Sequence, residues 1–212
     1  MFLSKLLNPF KKNQFPSKVN DPISVGRSFG KKAIFIGAVP QSGGEFNQMW
    51  AVVIENIKHR SFHPKTCLML GVAGGTAINI LKKTYPEISI TGVELDPVIL
   101  QVAKDNSFFV IDSSITIELD DAIEWVKKDT KKYDLIIVDL YHGDLNPSKA
   151  RQKSFLQNVK NLLKENGVVL YNCHFQRNKE EDYITFRNIV DKLFFNVEEV
   201  FIFPKNKILL FE

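Results

Sequence analysis

Residues 66–100 read TCLMLGVAGGTAINILKKTYPEISITGVELDPVIL, and this stretch decides the fold. TCLML is a short apolar run of strand length, broken by Gly71, Gly74 and Gly75 before the helical pattern GTAINILKKTY. ISITGVEL is a second such run, closed by Glu94, and DPVILQVAKDN continues as a helix. Strand, glycine turn, helix, strand is the opening unit of an open parallel sheet.

Working outward, the alternation persists. SITIEL, YDLIIVDL and GVVLYNC read as strands, DDAIEWVKKD and PSKARQKSFLQNVKNLLKEN as the helices between them. LIIVDL is apolar on successive residues, as expected of a strand covered on both faces. Right-handed crossovers then build a doubly wound α/β fold, a seven-stranded, mostly parallel, Rossmann-like sheet. After the helix EEDYITFRNIVDKLF come NVEEVFIFP and KILLF, separated only by Lys205, Asn206 and Lys207. That link is too short for a parallel crossover, so the last strand is expected to be antiparallel.

Upstream, ISVGRSFGKKAIFIG reads as a small β-hairpin around Gly30 and Lys31, GAVPQSGGEFNQ as a polar loop, and QMWAVVIENIKHRSF as a helix. That helix places Met49, Val52, Val53 and Ile57 on one stripe, and Pro64 ends it. His59 and His63 are four apart, but no third ligand is near, and a helix-end pair without metal is the expectation. The division expected is a basic tail over 1–22, the hairpin and helix over 23–62, and the sheet domain over 63–212. The tail is expected to fray and partly dock, with a membrane foot or a dimer arm as the functional alternative.

The 212 residues are 44% hydrophobic and 25% charged, an ordinary globular composition. Net charge is +4, but the tail holds Lys5, Lys11, Lys12 and Lys18 against Asp21, leaving the body at +1. Such a body gives no general electrostatic case for nucleic acid. Cys67 and Cys173 sit in apolar runs and lack metal spacing, so they read as buried thiols. No stretch reaches the roughly 20 apolar residues of a membrane span, and no secretory leader pattern is visible, so a cytoplasmic setting is expected.

The chemistry is carried by four constellations. A glycine turn allows close approach to the main chain, and Glu94, about 20 residues on, is placed to accept ribose hydroxyls. Neither G-x-G-x-x-G nor a triphosphate loop is present, which points to adenosine without phosphates. Asp120 and Asp121 end the third strand; one can read an adenine amine while the other caps the next helix, and plain N-capping explains either. Asp139, Tyr141, His142 and Asp144 crowd the carboxyl end of the fourth strand, where ligands sit in open sheets; a turn-rich structural loop is the bland alternative.

Together these residues resemble the class I S-adenosylmethionine-dependent transferases, and within them the spermidine synthase-like group, over roughly residues 30–175. LGVAGGT is similar to its glycine loop, GVELDP to its ribose-binding strand end, DDA to its adenine-binding turn, and YDLIIVDLYHGD to its active-site strand and gating loop. The resemblance implies that Gly71, Gly74 and Gly75 hold the methionine part, Glu94 the ribose, and Asp121, beside Asp120, the adenine. It implies Gln41 at the sulfur end and Asp139 near the reacting group. The aspartate that polyamine synthases carry three residues after the strand-ending one is His142 here. The expected tyrosine and its neighbour after Glu45 and Phe46 are Gln48 and Met49, and Ala73 stands for a glycine.

The resemblance thus implies S-adenosylmethionine, or its decarboxylated form, as cofactor. Methyl transfer to a small-molecule or protein acceptor, with His142 or Tyr141 as base, leads. Aminopropyl transfer and a nucleoside-binding relative without turnover remain alternatives, and a dehydrogenase is a distant fourth. A homodimer through the N-terminal strands and residues 49–58 is expected, on the ground that Trp50 and its apolar neighbours are not all buried within one chain.

Overall fold

The computed structural model of the chain describes residues 14–141, 145–174, 180–202 and 206–212. At its centre β5 (Thr66–Leu70) lies parallel to β8 (Tyr133–Val138), and Cys67 to Leu70 are buried beside residues 135–138. Both faces are covered. Helices α1 (Phe46–His59), α2 (Thr76–Thr84) and α3 (Pro97–Asp105) close one core. Helices α4 (Ala122–Lys128), α5 (Lys153–Leu162) and α6 (Glu180–Leu193) close the other.

The sheet order is β10 (Glu198–Ile202), β11 (Asn206–Phe211), β9 (Leu163–His174), β8, β5, β6 (Ser89–Glu94), β7 (Ile115–Leu119). β11 runs antiparallel to both β10 and β9, and the other pairs are parallel. This is the seven-stranded, mostly parallel fold expected, with the hairpin that the short link requires. Two boundaries differ. Asn206 and Lys207, read above as part of the link, already belong to β11. The helix expected from Pro147 to Asn166 is a 3-10 turn (Ser148–Arg151), an extended Gln152, and then α5, which ends where β9 begins at Leu163.

The N-terminal hairpin is larger than expected. β2 (Ile23–Ser28) and β3 (Lys31–Ile36) form it, while β1 (Gln14–Phe15) and β4 (Val39–Gly43) extend it to four antiparallel strands. Residues 39–43, read above as loop, are therefore strand. Their polar side chains are used for docking: the Gly74 N–H donates to Ser42 Oγ at 2.7 Å and the Gly43 N–H to Thr76 Oγ1 at 2.8 Å. In α1 the buried stripe is Met49, Trp50, Val53, Ile54 and Ile57, whereas Val52 is 48% exposed. Trp50 is buried within its own chain, so it offers nothing to a second copy.

Residues 14–22 are not a loose tail. The Ser17 hydroxyl and the Asn20 amide donate to Asp96 Oδ2 at 2.6 and 2.7 Å, while Asp96 Oδ1 caps α3 by accepting the Val98 N–H at 2.9 Å. Asp96 is fully buried. A buried carboxylate is tolerable because donors surround it. Residues 1–13 of that tail, on which the alternative of a foot or arm also rests, lie outside the described residues. Among the described residues no helix is long and apolar enough to cross a membrane.

Asp96→Ala removes a helix cap and both anchors of the strap. The expected cost is about 2–3 kcal/mol in urea unfolding, together with faster amide exchange at residues 14–24 than in the rest of the N-terminal sheet.

Candidate active site

A cleft opens at the carboxyl ends of β5, β6, β7 and β8. Gln41, Gly71, Glu94, Asp120, Asp121, Asp139 and Tyr141 line it, so the structure brings these candidates together. Val19, Asn20 and Pro147 also line it, among apolar residues such as Ile36, Ile99 and Leu140. The strap residues Val19 and Asn20 were assigned above to a tail, and nothing in their composition marked them for a cleft. His142, Asp144 and Gly143 lie outside the described residues.

Gly71 ends β5 at φ +89, and a Cβ there would stand 2.3 Å from the Asp139 carbonyl oxygen. Only glycine lets the two strand ends meet. At Gly74 and Gly75 the missing side chain has a packing reason. A Cβ on Gly74 would meet Ser42 at 2.6 Å, and one on Gly75, at φ +72, would meet Phe109 at 2.4 Å. These two make room for β4 and for Phe109. Ala73 holds φ +47, which its Cβ disfavours.

Glu94 explains how that turn is held. Its Oε2 accepts the N–H of Val72 at 3.0 Å and of Ala73 at 2.8 Å, and its Oε1 accepts those of Leu95 and Asp96 at 2.9 and 3.0 Å. Burial pushes the carboxyl above its usual range, and the four N–H groups pull it back. Asp121 caps α4 through the Ile123 N–H at 2.8 Å, and Asp120 accepts the Asp121 N–H at 2.8 Å while pairing with Lys128. The bond to Lys128 draws the Asp120 carboxyl down. Capping therefore falls to Asp121, the residue expected to read adenine, through Oδ1.

Asp139 has the most unusual surroundings. Asn172 Nδ2 donates to its Oδ1 at 2.8 Å and lies 2.5 Å from Tyr141 Oη, while the Tyr141 hydroxyl and the Trp50 side chain also bond the carboxylate. Burial raises its pKa to about 6; bonds to Asn172, Tyr141 and Trp50 oppose the rise, and the charge of Glu94 adds to it. Tyr141 also meets the His174 ring edge-on at 4.7 Å. Asn146, 2% exposed, ties the strand to the loop after β8: its amide donates to the carbonyls of Leu140 and Asn172, and its Oδ1 accepts the His174 N–H at 2.6 Å.

Trp50, Asn146, Asn172 and His174 were missed by sequence reasoning. One signal was available for Asn172: an amide inside the apolar run VVLYNC must find partners when buried. His59 lies 3.6 Å from Glu55, and no group of three possible metal ligands occurs among the described residues.

Residues 50–205 match the spermine/spermidine synthase domain family. A polyamine aminopropyltransferase of Vibrio vulnificus is 29% identical over 136 residues, which cover 62% of this chain and 45% of that protein. The eEF1A lysine and N-terminal methyltransferase of Xenopus laevis is 30% identical over 115 residues, covering 50% and 17%. The chain spans less than half the length of either relative. The crystal structure of a probable spermidine synthase from Corynebacterium glutamicum superimposes with a TM-score of 0.80 at 18% identity, covering 94% of this chain and 79% of that one. That likeness is one of fold.

Two stability measurements follow from the site. Glu94→Ala leaves four N–H groups without their acceptor and is expected to cost the ligand-free protein about 1–3 kcal/mol in urea unfolding. Asp139→Asn acts oppositely. A folded-state pKa of about 6 against 3.8 means that Asp139 favours folding below pH 4 and loses that contribution as pH rises through 6. The neutral amide does not, so the variant is expected to gain about 2–3 kcal/mol over the parent on going from pH 4 to pH 8.

Proposed function

The chain belongs to the spermine/spermidine synthase domain family, and from that premise we propose that it transfers the methyl group of S-adenosylmethionine to a small-molecule or protein-borne nucleophile. The donor set of the cleft suits such a ligand. Its described lining includes four carboxylates, Glu94, Asp120, Asp121 and Asp139, and no lysine or arginine. That lining repels a pyrophosphate and accommodates a phosphate-free nucleoside bearing a positive sulfonium.

In this reading Glu94 accepts the ribose hydroxyls, sharing them with the turn it holds, and the Asp121 oxygen not used in the cap accepts the adenine amine. Gln41, on β4, faces the sulfur end. When bound, the cosubstrate supplies an activated carbon: the acceptor's electron pair forms the new bond as the carbon–sulfur bond breaks, and that bonding pair stays on sulfur. The contribution of the chain is orientation and exclusion of water. Tyr141 and Asp139 are the described groups near the reacting end that can accept a proton from the acceptor, and His142 is the third candidate.

The observation that favours methyl transfer is the α1 side of Asp139. Trp50 is buried there, with its side chain bonded to the carboxylate. A dication would want carboxylates on that wall. Aminopropyl transfer is the second reading, supported by the family and by the acidic lining of the cleft. Calorimetry with S-adenosylmethionine and its decarboxylated form distinguishes them. The expected result is tighter binding of S-adenosylmethionine; preference for the decarboxylated form would replace methyl by aminopropyl transfer.

A further inference from the structure

We infer that Asp139, held by Asn172, Tyr141 and Trp50, is the counter-charge of the sulfonium, so that the cleft selects the charged S-adenosyl cosubstrate over its neutral thioether product. This rests on the S-adenosyl reading above. Three donors hold the carboxylate, and all three are neutral: an amide, a phenol and an indole. No lysine, arginine or histidine pairs with it among the described residues. When ionised, a carboxylate so placed is not neutralised by a paired cation among the described residues, and its burial away from water strengthens its attraction for a cation that approaches it.

Its position agrees. The Asp139 carbonyl abuts Gly71, where the glycine turn begins, and Asp139 lines the cleft together with Gly71 and Tyr141. Glu94 and Asp121 mark the adenosine end on β6 and after β7, which leaves Asp139 beside the atom that joins adenosine to the amino-acid chain. Transfer removes the positive charge from that atom. The attraction present before the reaction is therefore absent after it, and the product is held less tightly than the cosubstrate.

The selection depends on pH. Among the described residues, the titratable groups around Asp139 are Glu94 from the end of β6, whose charge raises it, Tyr141 on its own loop, and His174 of β9 against the Tyr141 ring; Asp120 and Asp121 line the same cleft. With a pKa of about 6 the carboxyl is ionised at pH 7.5 and protonated at pH 5.

The test is calorimetric titration of the whole chain with S-adenosylmethionine and with S-adenosylhomocysteine between pH 5 and 8. At pH 7.5 the charged ligand is expected to bind about tenfold more tightly, with the ratio falling towards one at pH 5. Asp139→Asn is expected to hold the ratio near one throughout while leaving S-adenosylhomocysteine affinity unchanged. Trp50→Phe, which deletes one donor to the carboxylate, is expected to move the midpoint to higher pH. If both ligands bind and their ratio ignores pH and Asp139→Asn, the counter-charge role is wrong and the S-adenosyl reading stands; a carboxylate serving an acceptor's ammonium gives that result. If neither ligand binds, both fall.

Discussion

The carboxylate of Glu94 gathers four backbone N–H groups from two turns, and the site depends on it. One pair comes from the turn after β5, the other from the turn after β6. A strand end that leaves the sheet exposes N–H groups with no partner in the ladder, and burying them unpaired is costly. One side chain at the end of β6 satisfies both turns at once. It thereby holds Ala73 in a left-handed conformation and fixes the spacing between the first two strands where the cleft opens.

The same device recurs around the cleft. Asp96 is buried among the Ser17 hydroxyl, the Asn20 amide and the first turn of α3. Asp139 is held by an amide, a phenol and an indole. In each case neutral donors, not cations, keep the carboxylate in place, so negative potential accumulates at this edge of the sheet. The N-terminal sheet adds a wall: β4 is docked on the glycine turn through Ser42 and Gly43, and the strap at Val19 and Asn20 closes the adjacent side. Affinity for a cation and rigidity of the turns thus have a common origin.

Much of this was legible in the chain. The strands of the central sheet were readable because they are buried on both faces, which writes a continuous apolar run into the sequence. The antiparallel last strand followed from a three-residue link, a matter of reach. Glu94, Asp121 and Asp139 were readable because they terminate such runs. β4 was not, since VPQSG carries no alternation and uses its polar atoms to dock on another element. Gly74 and Gly75 were assigned to a ligand, and Ser42 and Phe109 occupy the space a side chain would need.

The sequence by itself determined the order of strands and helices in the central sheet, the glycine turn and the carboxylates at the sheet edge, because each is a local property of period, chain reach or residue type. Only the tertiary structure decided what those carboxylates face. Trp50, Asn172 and Asp139 are far apart in the chain and come together through the packing of α1 and β9 against β8. Whether Asp139 meets a lysine or three neutral donors depends on that packing, and the difference sets its charge near neutral pH. Hydrogen bonds between distant residues leave no periodic trace in a sequence, so the electrostatics of the cleft appear only once the chain is folded.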